Sequence, residues 1–149
     1  MRAVLQRVLN ASVEVDGAVV SSIGKGLMVL VGLHESDTER DMEYIAGKIL
    51  GARIFNDSGG VMNLSVSETG GEVLLVSQFT LYGDIRKGKR PSYSSAMKPD
   101  TAREAFSRFV DLFTSMHPAT RAGVFGADMK VSLINDGPVT ILVDSGKIF

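Results

Sequence analysis

A chain of 149 residues without a single cysteine is long enough to bury a core without staples, and it excludes disulfide frameworks, thiolate nucleophiles and zinc–thiolate centres. Sixteen basic residues stand against seventeen acidic ones, which excludes general electrostatic adhesion to nucleic acid or membrane. Any polyanion contact has to be local.

Residues 2 to 8 and 12 to 23 read as extended, the second stretch as a hairpin in which Val13-Glu14-Val15 and Ala18-Val19-Val20 flank the turn pair Asp16-Gly17. Gln6 and Arg7 fall where a signal peptide needs its apolar stretch, and the apolar run Leu27 to Leu33 is too short for a bilayer. The expectation is a chain that starts near Met1 and works in a soluble, cytoplasmic compartment. Leu27 to Leu33, continuous and apolar after Gly24 and Gly26, predicts a strand buried on both faces. Ser36-Asp37-Thr38-Glu39 has the spacing of a capping box, and Met42, Ile45, Ala46 and Ile49 recur at helical intervals before Gly51. Ala52 to Phe55 and Val61 to Val66 bracket a turn-rich pentapeptide, and Glu72 to Tyr82 reads as a further long buried strand. A second helix starts near Asp100, places Ala102, Phe106, Phe109, Val110 and Phe113 on one face, and stops before Pro118.

The last segment, Val131 to Val143, holds two strand-like runs joined at Asn135-Asp136-Gly137-Pro138. Asp-Gly between alternating hydrophobics is a hairpin signal, but the proline lacks the N–H that a ladder needs, so the backbone there is shaped rather than regular. A proline that merely stiffens a loop is the alternative. The whole predicts one α/β domain spanning 1–149, with mixed sheets in β/β/α layers and two main helices. Two helices cannot cover both faces of a large sheet, so a second sheet or a partner subunit covers the other, and a homodimer is expected.

Familiar chemistries are absent. His34 and His117 belong to no metal-binding pattern, and the ring of His117 at a helix end reads as structural. Gly24-Lys25-Gly26 opens no helix and lacks Walker spacing, so no nucleotide cofactor and no metal are expected. No Gly-x-Ser-x-Gly elbow occurs. What remains is an apolar strand that turns polar at Ser77, Gln78 and Thr80, followed by the dense cationic run Arg86, Lys87, Lys89, Arg90. Polar side chains entering an apolar strand need partners or a purpose, and the cations suit a phosphodiester backbone. The plainer readings are a strand end emerging into solvent and a solvated loop. Arg7, within an otherwise apolar first strand, calls for a tether to a backbone carbonyl unless it lies on an exposed face.

Ser77-Gln78-Phe79-Thr80-Leu81, Arg86-Lys87-Gly88, Arg90-Pro91-Ser92, Phe125-Gly126-Ala127-Asp128-Met129 and Asn135-Asp136-Gly137-Pro138-Val139-Thr140 together resemble the D-aminoacyl-tRNA deacylase family, as does the opening Met1 to Val8. The resemblance runs to about Ser145. It implies a homodimeric, metal-free esterase without cofactors that removes D-amino acids from tRNA in translation quality control, with glycine mischarged on alanine tRNA as a second substrate class. It further implies active sites at the dimer interface, where a cis Gly137-Pro138 peptide crosses from one subunit into the pocket of the other, supported by Arg7 and Asn135. Gln78, Phe79 and Thr80 are then the catalytic residues, Ser77 and Met129 join Gly137 and Pro138 in holding substrate, and Arg86, Lys87, Lys89 and Arg90 face the tRNA backbone. Core filling is the alternative for Met129. Water attack is favoured over Thr80 as nucleophile, because no base adjoins Thr80. A noncatalytic RNA-binding module and a sheet protein that binds another small ester or amide stay open as alternatives.

Overall fold

The computed structural model describes residues 1–148. Its elements are β1 (Arg2–Val15), β2 (Ala18–Ile23), β3 (Gly26–Gly32), α1 (Glu39–Gly51), β4 (Phe55–Asn56), β5 (Met62–Leu64), β6 (Glu72–Ser77), a 3₁₀ turn (Phe79–Tyr82), α2 (Pro99–Met116), β7 (Thr120–Ala122) and β8 (Lys130–Asp144). One six-stranded sheet runs β2-β1-β3-β6-β7, with β8 paired along β1, while β4 and β5 form a separate small hairpin. Strands β1, β2, β3 and β8 are antiparallel neighbours, whereas β3–β6 and β6–β7 are parallel. Each parallel neighbour is reached through a helix, since parallel pairing requires a crossover longer than a turn.

The expected layers come from a single curled sheet rather than from two. Leu27, Val29, Val31, Val73 and Leu75 enter a core that also holds Ile45, Ile49, Phe106, Phe109 and Phe113 from the two helices. Met28, Leu74 and Val76, which point the other way, enter a second core with Val8, Ala11, Val13 and Ile23. Strands β3 and β6 are thus apolar on both faces because helices cover one and the folded-over half of β1, β2 and β8 covers the other. β1 can serve both cores because it is one continuous strand of 14 residues whose register against β8 shifts between Gln6 and Val8 and again between Val8 and Asn10. Such bulges bend a strand and change which face its side chains meet.

Several local readings shift. The Asp16-Gly17 hairpin stands, with both residues at positive φ (50° and 79°) as a tight twisted turn demands. The capping box of α1 is Thr38 with Asp41, not Ser36 with Glu39; the Ser36 hydroxyl pairs instead with His34 Nδ1 (2.9 Å), while Asp37 accepts from the His34 N–H (2.7 Å) and from the Met1 amino group (2.5 Å). Strand β6 stops at Ser77 and the chain turns, where an extended path to Tyr82 was expected. On α2, Ala105 is buried and Val110 only partly so. The His117 Nε2 donates to the Gly71 carbonyl (2.9 Å) in a buried site, so the ring at the helix end is a structural link. Gly26 is obligatory, since a Cβ there would lie 1.8 Å from the Glu72 carbonyl oxygen across the parallel pair. Among the described residues no helix is long and apolar enough to cross a membrane.

The α1 box yields a pH prediction. The Thr38 hydroxyl (2.6 Å) and its backbone N–H (2.9 Å) both donate to the Asp41 carboxylate, and the hydroxyl bond is the chief cause that holds this acid down to about 2 against an ordinary 3.8. A depressed acid contributes stability that is complete above its unfolded value and is lost as pH falls through its folded one. Thr38→Ala is expected to cost about 1 kcal/mol at pH 6, a gap that closes between pH 4 and pH 2. Urea midpoints of both proteins across that range check it, and a gap that stays constant to pH 2 would contradict the assignment.

Candidate active site

The polar end of β6 opens onto a cleft of about 710 Å³ lined by Ser77, Gln78 and Phe79 on one side and by Phe125 to Met129 and Val131 on the other, with Tyr93, Ser94 and Ala96 to Pro99 closing the rim. The turn that follows β6 is held at both ends. The Gln78 N–H donates to the Val31 carbonyl (2.7 Å), and an Arg2 Nη1 donates to the Leu81 carbonyl (2.9 Å). Tyr82 is buried at its far end, with the Arg2 guanidinium 4.5 Å from its ring, and burial together with the nearby Asp37 charge pushes its phenol well above the ordinary value. The Gln78 side-chain amide donates to the Thr80 hydroxyl.

The backbone donors of this turn are its main chemical asset. The first N–H groups of a helical turn have no partner within it, and among the described residues those of Phe79 and Thr80 meet no acceptor. The cleft walls are largely apolar (Val31, Leu33, Val76, Met97, Ala102), so a dipole pointing into it is little screened. Successive N–H groups in such a setting stabilise oxygen that becomes negative.

Ser77, Gln78, Phe79 and Met129 are brought together here as expected, with Thr80 next along the turn. Met129 meets both of its readings. It lines the cleft and also packs on the second core, close against Gly123, where a Cβ would lie 2.8 Å from the Met129 sulfur. Tyr93, Lys98 and Pro99, which sequence reasoning passed over, belong to the same rim. Their only signal was position after a cationic loop, and nothing in the sequence places that loop over β6.

Gly137 and Pro138 are not among the residues that line this cleft within one chain. They lie exposed in β8, and the Gly137–Pro138 peptide is cis. The chain does not turn back as a hairpin. Between the pairs Gln6↔Thr140 and Val8↔Asn135, β1 advances two residues while β8 advances five, so the surplus residues are pushed out of the ladder. Their base is firmly held. The Arg7 Nε donates to the Asp136 carbonyl (3.1 Å) and lies 3.2 Å from its carboxylate, while a second guanidinium nitrogen donates to the Ile54 carbonyl (2.6 Å). The Asn135 amide donates to the carbonyls of Arg7 (2.9 Å) and Val139 (3.0 Å), closing the neck. Arg7 is thus the buried, carbonyl-tethered arginine that the first strand called for.

The cationic loop carries one internal ion pair. Arg86 folds back as a fork onto Asp84, with contacts of 2.6 to 3.1 Å, and it holds that carboxyl down to about 2. The Arg86 side chain stays exposed in this pair. Lys87, Lys89 and Arg90 are exposed and, among the described residues, make no ion pair. No group of three or more His, Asp or Glu side chains is placed to hold a metal among those residues.

Residues 4–144 match the family model described as D-Tyr-tRNA(Tyr) deacylase. The chain is 53% identical to the D-aminoacyl-tRNA deacylase of Thermosipho africanus and 56% identical to that of Kosmotoga olearia, in each case over the full length of both proteins. Among solved structures it is similar to one titled c-Myc DNA Unwinding Element Binding Protein, with a TM-score of 0.93 and 39% identity over 97% of this chain and 98% of that one. A structure titled as a probable eukaryotic D-amino acid tRNA deacylase shares the fold, with a TM-score of 0.82 at 18% identity over 95% of this chain and 97% of that one.

Proposed function

Since the chain belongs to the D-Tyr-tRNA(Tyr) deacylase family, we propose that the cleft at the end of β6 hydrolyses the ester between a D-amino acid and the terminal ribose of tRNA. The observation that carries this is the pair of unpartnered N–H groups, Phe79 and Thr80, beside that cleft. Water attacks the ester carbonyl carbon, the carbonyl oxygen becomes an oxyanion facing these two donors, and the C–O bond to ribose then breaks with a proton passing to the departing ribose oxygen. Aminoacyl esters are labile, so placement and charge stabilisation suffice, each donor contributing about 3 kcal/mol. Gln78 positions the water or the substrate. No metal or cofactor is needed for this route, and the free vicinal ribose hydroxyl lies close enough in any aminoacyl-tRNA to help activate the water.

Chirality is read by exclusion in this proposal. D and L esters share every functional group, so attraction cannot separate them well, whereas a rigid obstacle in the volume of one side chain can. The main-chain oxygens of Gly137 and Pro138 are that obstacle. They reach the cleft from the neighbouring protomer of a homodimer, which is why they stand exposed and braced by Arg7 and Asn135 rather than folded into their own chain's cleft. The exposed apolar side chains Ile134, Ile141 and Leu142 along β8 suit burial in such a pairing. A thousandfold preference requires only about 4 kcal/mol. Glycine has no side chain to reject, so glycine on alanine tRNA passes as substrate. Lys87, Lys89 and Arg90 contact tRNA phosphates, Arg86 shaping their loop, and the place of work is the cytoplasm, where translation is checked.

The test is ester loss from D-tyrosyl-, L-tyrosyl- and glycyl-tRNA. D and glycyl esters are expected to be cleaved and the L ester spared, in the presence of EDTA as in its absence. Thr80→Ala is expected to keep activity within about tenfold of native. A trapped acyl-Thr80 ester would overturn water attack. A second reading, nucleic-acid binding without catalysis, draws on the printed title of the 39%-identical structure and on the three free cations. Binding that weakens with salt but leaves every ester intact would favour it.

A further inference from the structure

We propose that Tyr93 is a positioning residue for deacylation, its ring bracing the Phe79–Tyr82 turn from the solvent side and so fixing where the Phe79 and Thr80 N–H groups point. The inference rests on the reading of this cleft as the deacylation site. A single 3₁₀ turn has few internal bonds and takes its rigidity from neighbours. Val31 and Arg2 hold the two ends of this one through the Gln78 N–H and the Leu81 carbonyl. Between those ends Phe79 is 58% exposed, and Tyr93 meets it edge to face with ring centroids 5.0 Å apart at 71°.

The same ring presses on the residue that closes the turn. The Gly83 N–H donates to the Thr80 carbonyl (2.9 Å), and a Cβ on Gly83 would lie 3.0 Å from that oxygen and 3.1 Å from Cε1 of Tyr93. Tyr93 is therefore seated on the bare glycine that orients Thr80. It is delivered there by the paired backbone of Asp84 and Ser92 (2.8 and 2.9 Å), the neck of the loop that carries Lys87, Lys89 and Arg90. At 38% exposure, and with no hydrogen bond from its hydroxyl among the described residues, Tyr93 contributes little to folding. Its ring, not its hydroxyl, is what the turn uses, and donors to an oxyanion lose their effect when re-aimed by fractions of an ångström.

Steady-state kinetics on D-tyrosyl-tRNA test this with Tyr93→Ala, Tyr93→Phe and Gly83→Ala, each with its melting temperature. Tyr93→Ala is expected to lower kcat about tenfold or more with KM and melting temperature close to native, and Tyr93→Phe to restore kcat. Gly83→Ala, which pushes ring and carbonyl apart, is expected to lower kcat likewise, and it serves as the readout should Tyr93→Ala not fold. Native kcat in Tyr93→Ala, a loss confined to KM, or failure of phenylalanine to rescue would each overturn the inference while leaving the functional reading intact. A native protein inactive on D-tyrosyl-tRNA would overturn both.

Discussion

Gly137→Ala is expected to collapse the ratio of D- to L-tyrosyl-tRNA hydrolysis about a hundredfold, the scale on which small misplacements of reacting geometry act. Gly137 sits at φ 122°, a region side chains rarely adopt, and an added Cβ would lie 2.8 Å from Arg7 Nη2 and 2.9 Å from Val139 Cγ2. Arg7 is tied to two carbonyls and cannot yield, so the main chain at 137 and 138 has to move instead. If the oxygens there exclude the L side chain, displacing them admits it, and the L ester begins to be cleaved. Initial rates on the two mirror substrates, with sedimentation to establish that the variant assembles as the native protein does, decide the matter. An unchanged ratio would remove Gly137 and Pro138 from chiral selection.

Arg7→Ala is expected to destabilise the fold by about 3 kcal/mol, at the lower end for breaking a buried ionic contact because Asp136 retains 32% exposure. The buried Ile54 carbonyl loses its donor, which carries a penalty of about 1–3 kcal/mol by itself. Arg7→Lys is expected to recover only part of this, since one ammonium cannot reach Ile54 and Asp136 with the fixed fork that guanidinium supplies. Urea denaturation measures the loss. Both variants are also expected to relax D over L preference, because the protrusion has lost its brace while Gln78, Phe79 and Thr80 are untouched. A destabilised Arg7→Ala that selects as sharply as native would separate stability from selection and make Arg7 purely structural.

Much of the fold was legible because burial imposes periodicity. Met42, Ile45, Ala46 and Ile49 repeat at the helical interval and are the buried face of α1. Leu27 to Val31 are apolar at every position, as a strand covered on both sides must be. The errors fall where two local patterns compete. Ser36 to Glu39 and Thr38 to Asp41 both have capping spacing, and the choice falls on Thr38 once Ser36 pairs with the His34 ring. Phe79, Leu81 and Tyr82 are as apolar as the strand before them, and the polar residues Ser77, Gln78 and Thr80 read equally as a strand end, so nothing local announces the turn that makes the site.

The amino-acid sequence alone determined the two helices, the doubly buried strands, the clustering of Ser77 to Thr80 and the peculiarity of Gly137-Pro138, because each is written in spacing that water and backbone geometry enforce locally. Tertiary structure alone decided that the layers are one curled sheet, that Arg86 pairs with Asp84, that Tyr93 rests on Gly83, and that Arg7 reaches from β1 to both Ile54 and Asp136. Those contacts join residues distant in sequence, and their partners are selected by the closure of the chain on itself rather than by any preference the residues carry on their own.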